Sequence, residues 1–331
     1  MGLRDKRRAG MTLVELLVVV TIIGLLAVTV LPNIANTADD RRTRESVRMI
    51  TSYVAKAQSR AIGRQEWAGF TMVPPNATST FAIDLFLADI PAAYKGDDLA
   101  ASVTVSPSTA TEQMLAFTGS FGSGVPAVTE GDLIRFDSRG PWYELTAHAA
   151  AFRLRTAATI DALAGQNQYN TPWPAPSPAT HTFEILCQPT RSGSPLSLGD
   201  GRCIDLYWSG NGPAATYAHF GASGGYVTGN SATVLFDGSG RVRQLSLGTS
   251  RFAPSGPVML LVGKSIRAGQ PAATLIPSDD SVGANWQYPD SFWIAIDPAS
   301  GIAKAAECAA GAADVVASQA FIRSELSTGG R

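Results

Sequence analysis

Cysteine and histidine are scarce in this 331-residue chain, with three of each. The cysteines Cys187, Cys203 and Cys308 form no Cys-x-x-Cys pair, and no histidine stands near them at ligand spacing. A zinc site is therefore not expected, nor is a dense disulfide framework. Charged residues make up only 16% of the chain against 45% hydrophobic, which argues against both a disordered chain and a coiled coil. Catalytic signatures are lacking too. His148, His181 and His219 sit far apart, and no HExxH, GxSxG, Walker A or EF-hand pattern occurs. Asp237–Arg241, DGSGR, has a single carboxylate and reads as a hairpin turn rather than a calcium loop. No cofactor is implied.

The small net charge of −1 hides an uneven distribution. Residues 1–64 carry 11 Lys/Arg and 5 Asp/Glu, an excess of +6, so the remainder carries −7. A body of that sign disfavours nucleic acid as a partner.

One long apolar run is present. After the basic decapeptide MGLRDKRRAG, residues 11–31 read MTLVELLVVVTIIGLLAVTVL, with Glu15 as the single charge. As an α-helix this run spans about 31 Å, close to the roughly 30 Å of a bilayer's hydrocarbon core. The basic leader predicts a cytoplasmic amino terminus, which places everything after Leu31 in the periplasm or the exterior. Three other readings compete: a cleaved secretory signal, a plain signal anchor and a buried helix of a cytosolic domain. The run is too long for the first. Glu15 serves no purpose in the second, and the third would show polar positions at every turn.

The segment RRAG followed by MTLVELLVVVTIIGLLAVTVLP resembles the class III leader and methylation segment of type IV pilins and type II secretion pseudopilins. The resemblance implies cleavage after Gly10 by a membrane prepilin peptidase, and methylation of the new amine on Met11 by the same enzyme. Phenylalanine is commoner at that place. It also assigns Glu15 to assembly and Pro32 to a helix kink. Glu15 lies four residues from the new ammonium in a region poor in water, where leaving either charge uncompensated is costly. The implied partners are the peptidase/methyltransferase, other pilins or pseudopilins, an inner-membrane assembly platform and the lipid bilayer.

Beyond Pro32, NIANTADD is weakly helix-forming, and a melted or bent patch is expected there, with Asp39 or Asp40 capping a new helix. From Arg41 to Arg64, Val47, Ile50, Val54, Ala57 and Ala61 recur every three or four residues, predicting an amphipathic helix whose stripe docks on a sheet. Its basic row, including Arg44, Arg48, Lys56, Arg60 and Arg64, is either a solvated face or a contact to acidic neighbours in a filament.

The rest of the chain alternates β-favouring runs with Gly, Pro, Asn and Ser, predicting antiparallel sheet from 67–73, 133–137, 182–187, 203–208 and 258–264. Hairpins are expected at 232–247 and 292–307, around Asp237–Gly240 and Asp297–Gly301. The stretches 74–130 and 265–291 read as insertions, and Tyr169–Ala179 as a semi-rigid loop. Together with the helix that feeds the first strand, the hairpins resemble the minor pseudopilins of the GspH and FimT kind. Cys187 and Cys203 can close a loop worth about 3 kcal/mol, with Cys308 free or pairing in its place. Alternatively, all three are reduced and packed.

The expected fold is α+β: leader 1–10, transmembrane and filament-core helix 11–31, amphipathic extension 32–64, and a β-rich head 65–331. The expected function is a minor, tip-proximal filament subunit supporting secretion. It would sit first in the inner membrane as a single-pass protein and then in the filament. A major pilin, an adhesive or DNA-uptake pilin, and a membrane-anchored enzyme are the alternatives.

Overall fold

The computed structural model describes residues 13–107, 112–119, 128–148, 151–155, 180–221, 228–248, 250–274 and 282–328. Helix α1 (Leu13–Arg64) opens the chain, followed by β1 (Ala68–Val73), β2 (Phe81–Ala82) and β3 (Asp84–Asp89). Seven strands come next: β4 (Ser102–Pro107), β5 (Glu112–Thr118), β6 (Leu133–Phe136), β7 (Arg139–His148), β8 (Ala151–Arg155), β9 (Thr180–His181) and β10 (Phe183–Leu186). The chain returns through β11 (Thr190–Ser197), β12 (Arg202–Asn211), β13 (Ala218–His219), β14 (Ala232–Phe236), β15 (Val242–Leu247), β16 (Ser250–Phe252) and β17 (Val258–Lys264). It closes with β18 (Phe292–Ile296), β19 (Ala303–Glu307), α2 (Val315–Ser318) and α3 (Ala320–Thr328).

These strands form three sheets with antiparallel pairing throughout, so the fold is α+β. The first runs β11-β3-β1-β14-β15-β16, the second β10-β6-β7-β8-β5-β4-β9, and the third β13-β12-β17-β18-β19 with β2 against β12. The first and third sheets share one core with α1. Val47, Ile50, Val54, Ala57 and Ala61, the stripe expected from its spacing, are all buried there against Phe70, Leu85, Leu260 and Ile294. Alternation along β17 then builds a second layer. Val258, Leu260 and Val262 face the helix, while Met259 and Leu261 join Trp293, Cys308 and Ile322 beneath α2 and α3. Trp293 Nε1 donates to Ser318 Oγ at 3.0 Å, satisfying the indole within that layer.

The whole second sheet lies between β3 and β11, which are paired, Asp89 opposite Thr190. The described residues of 90–189 thus form an inserted lobe with its own core around Val103, Phe136, Tyr143 and Leu154. An insertion of that length is tolerated because its two ends are already neighbours in a ladder, so no long loop has to be closed at the body's cost. The lobe is tied down by Asp132. Its carboxylate accepts from the Thr129 and Gln188 backbone N–H groups at 2.6 and 2.7 Å and lies 3.5 Å from Arg251 of the main body. Burial raises the Asp132 pKa, and those hydrogen bonds and Arg251 oppose the rise.

Three expectations are corrected. The segment that leaves and rejoins one ladder is 90–189, overlapping the expected insertion 74–130 in part and not the expected insertion 265–291. The stretch 33–40 is helical, and α1 runs through Pro32 without interruption. The physical reason is cooperativity: propagating a helix across weak residues between two strong flanks is easier than terminating and renucleating it. Finally, Cys187, Cys203 and Cys308 are free and buried. Cys187 belongs to the lobe core and Cys308 to the layer under the carboxy-terminal helices, whereas Cys203 is on β12 in the third sheet. Cys187 and Cys203, expected to be able to close a disulfide, are therefore both free thiols, one in the lobe core and one on β12. The hairpins at 232–247 and 292–307 form as β14–β15 and β18–β19. Tyr169–Ala179 lies outside the described residues.

Candidate functional site: the amino-terminal half of helix α1

Leu, Val and Ile dominate α1 from Leu13 to Leu25, and these apolar side chains are exposed. Exposure runs from 47% at Val19 to 80% at Leu13. Each such side chain stabilises an assembly by about 1.5–3 kcal/mol once fully buried, and a continuous apolar surface of this kind marks an interaction site. Thr21, the polar interruption, donates its hydroxyl to the Leu17 carbonyl and so consumes its polarity inside the helix. Glu15 lies in the first turn of the helix and is exposed.

Gly10 and Met11, the expected cleavage pair, lie outside the described residues, as does part of the expected span 11–31. Among the described residues, no helix is long and apolar enough to cross a membrane.

The carboxy-terminal half of α1 behaves differently. Its basic row is largely committed to the head of the same chain. Arg60 Nε donates to Asp89 Oδ1 at 2.8 Å, its Nη2 bonds Oδ2, and Arg64 stands 3.3 Å from the same carboxylate. Burial pushes the Asp89 pKa up, but the hydrogen bonds from Arg60 and the nearby positive charge of Arg60 and Arg64 outweigh it and hold the carboxyl below its usual range. Arg44 Nη2 pairs with Glu307 at 2.7 Å, and Arg42 with Asp200 at 3.4 Å. These contacts fix the direction in which α1 leaves the head. Sequence gave no signal for them, because the partners are distant along the chain.

The histidines are not gathered. His181 Nδ1 lies 2.9 Å from Asp137 Oδ2 in the lobe, and His219 Nδ1 lies 3.1 Å from the Tyr207 carbonyl oxygen in the third sheet. His148 ends β7. Asp137 also accepts from the Thr182 backbone N–H and hydroxyl, so the Asp137–His181 pair is braced by further hydrogen bonds. Among the described residues no group of three or more His, Cys, Asp or Glu can hold a metal. Asp237, in the tight turn DGSGR, accepts from the Ser239 and Arg241 backbone N–H groups at 2.9 and 3.2 Å, as a hairpin turn requires.

Residues 5–31 match the family model of the prokaryotic N-terminal methylation motif. No curated protein and no solved structure matches the chain. The match covers the basic leader and the exposed apolar helix, and it makes the amino-terminal segment a prepilin-type leader of the pilin and pseudopilin kind. A motif of this kind points to a structural subunit rather than an enzyme.

Proposed function

We propose that this chain, with its prepilin-type leader, is a minor subunit of a type IV pilus-like or type II secretion pseudopilus filament. The observation that carries the reading is the continuity of one helix across two roles. Its first half is a methylation motif with exposed apolar side chains, and its second half is locked to a large β-rich head. A prepilin peptidase cuts after Gly10 and methylates Met11. The helix waits in the inner membrane with the head outside the cytoplasm, and an assembly platform transfers it into the filament. Packing against neighbouring helices then replaces lipid around Leu13–Leu25.

Glu15 sets the register of that transfer. The ammonium created at Met11 and the carboxylate four residues on are both costly to bury alone. An incoming carboxylate seated against a neighbour's amine removes both penalties at one stagger only. The inserted lobe favours a terminal position, since a head enlarged by residues 90–189 is accommodated most easily where no further subunit stacks upon it.

Intact-mass spectrometry of the protein from cells with and without the prepilin peptidase tests the reading. The expected species starts at Met11 and is one methyl group heavier than the bare sequence. A chain that retains residues 1–10 in the presence of the peptidase overturns it.

A further inference from the structure

The inserted lobe and the main body leave between them a cleft of about 660 Å³, within the range of sites that enclose small ligands. Both units build its walls. Trp67, just ahead of β1, and Phe252 of β16 come from the body, and Trp142 of β7 comes from the lobe. Trp142 is held in place from one side by Arg135, whose guanidinium carbon is 4.6 Å from the ring centroid. Glu66 and Arg243 add exposed planar polar groups. Arg251 lies at the junction beside Asp132, with side-chain exposures of 4% and 0%.

Charge and shape together select the ligand chemistry. Arg251 is offset by Asp132, and the remaining charged lining is one cation, Arg243, and one anion, Glu66, so by count the cleft presents no net charge of either sign to a strongly ionic ligand. Aromatic planes offer apolar faces. Guanidinium and carboxylate groups offer paired hydrogen-bonding atoms in a fixed plane. A molecule that is neutral, has apolar C–H faces and carries adjacent hydroxyls satisfies all three features.

An extended peptide fits less well, because it needs a free sheet edge. The edge strand at the cleft, β16, is only 3 residues long. The outer edge of β10 is already occupied, since Tyr94 and Ile185 exchange two backbone hydrogen bonds of 2.8 and 2.7 Å. The geometry points to a binding site for a neutral oligosaccharide, stacked on Trp67 and Trp142 with its hydroxyls on Arg243 and Glu66.

The site is independent of the filament assignment, so failure of leader cleavage leaves it standing. The test uses the full chain in a detergent without a sugar headgroup. Soluble neutral oligomers of glucose and of N-acetylglucosamine are titrated by tryptophan fluorescence and by saturation-transfer NMR. At least one of the two series is expected to bind, and Arg243→Ala and Trp67→Ala are expected to weaken it about tenfold or more, while Phe321→Ala on a distant exposed surface leaves it unchanged. Arg243 is exposed and its truncation leaves the fold intact, so it decides the matter if Trp67→Ala is unstable. The proposal is overturned if neither series binds, if Arg243→Ala binds as well as the parent, or if only apolar peptides are captured in the cleft.

Discussion

Gln58 reaches from helix α1 to the β14–β15 turn and donates its side-chain amide to the Gly240 carbonyl oxygen at 2.9 Å. The same nitrogen donates to Ser300 O at 2.7 Å in the β18–β19 turn. The turns also touch each other, with Val242 N–H donating to Pro298 O at 3.0 Å. One helical glutamine thus pins two hairpins from two different sheets, and the helix cannot rotate without releasing both.

Removing that amide should cost about 1–3 kcal/mol, because two turn carbonyls lose their donor. Gly301→Ala should cost at least as much. Gly301 has φ +68°, and an added Cβ would lie 2.0 Å from the Gly240 oxygen. Urea denaturation of both variants checks this, and a midpoint unchanged from the parent in either one would contradict the pinning account.

Glu15→Ala should leave cleavage after Gly10 intact, since the peptidase reads the junction, but should stop entry into the filament. In vivo crosslinking between subunits, scored beside intact mass, separates the steps. Normal filaments of the alanine variant would remove the charge-pairing account of register.

The three thiols should be free and slow to react in the folded protein. Burial pushes the Cys187 thiol up to about 11, and it holds Cys203 and Cys308 well above the ordinary thiol range. Low thiolate content and lack of access both suppress reactivity. Alkylation before and after denaturation, followed by peptide mapping without reductant, should find three labelled cysteines only after unfolding. A Cys187–Cys203 bridge in that map would contradict the free, buried thiols of the fold.

Asp205 should give the head a pH dependence of unusual sign. It is fully buried, and burial raises its pKa to about 6, against hydrogen bonds from Asn285, Gly269 and Trp208 that favour the ionised form. The folded state therefore takes up a proton near pH 6, whereas the unfolded chain does so near pH 3.9. This contribution to stability grows as pH falls from about 7 toward 4. Asp205→Asn should flatten that slope. It should also lower stability at neutral pH by about 1–3 kcal/mol, because an amide cannot accept every donor now aimed at the carboxylate. Parallel chemical denaturation of parent and variant from pH 5 to 8 measures the difference, and identical slopes would refute the assignment.

Wherever periodicity alone carries the signal, the sequence was sufficient. The stripe Val47, Ile50, Val54, Ala57 and Ala61 had to be buried because one helical face collects it, and DGSGR and DPASG had to turn because their side chains bond their own backbone. The leader and apolar run are likewise local, which is why residues 5–31 are matched as a motif with no help from the rest of the chain. Tertiary structure decided what depends on separation along the chain. It committed Arg44 and Arg60 to Glu307 and Asp89 of the head and placed the cysteines in different surroundings. It also fixed the lobe boundaries, since only the pairing of Asp89 with Thr190 shows that residues 90–189 leave and rejoin one ladder. Such contacts arise when chain segments remote in sequence are brought together to bury a shared core, and no local pattern encodes which remote partner will be there.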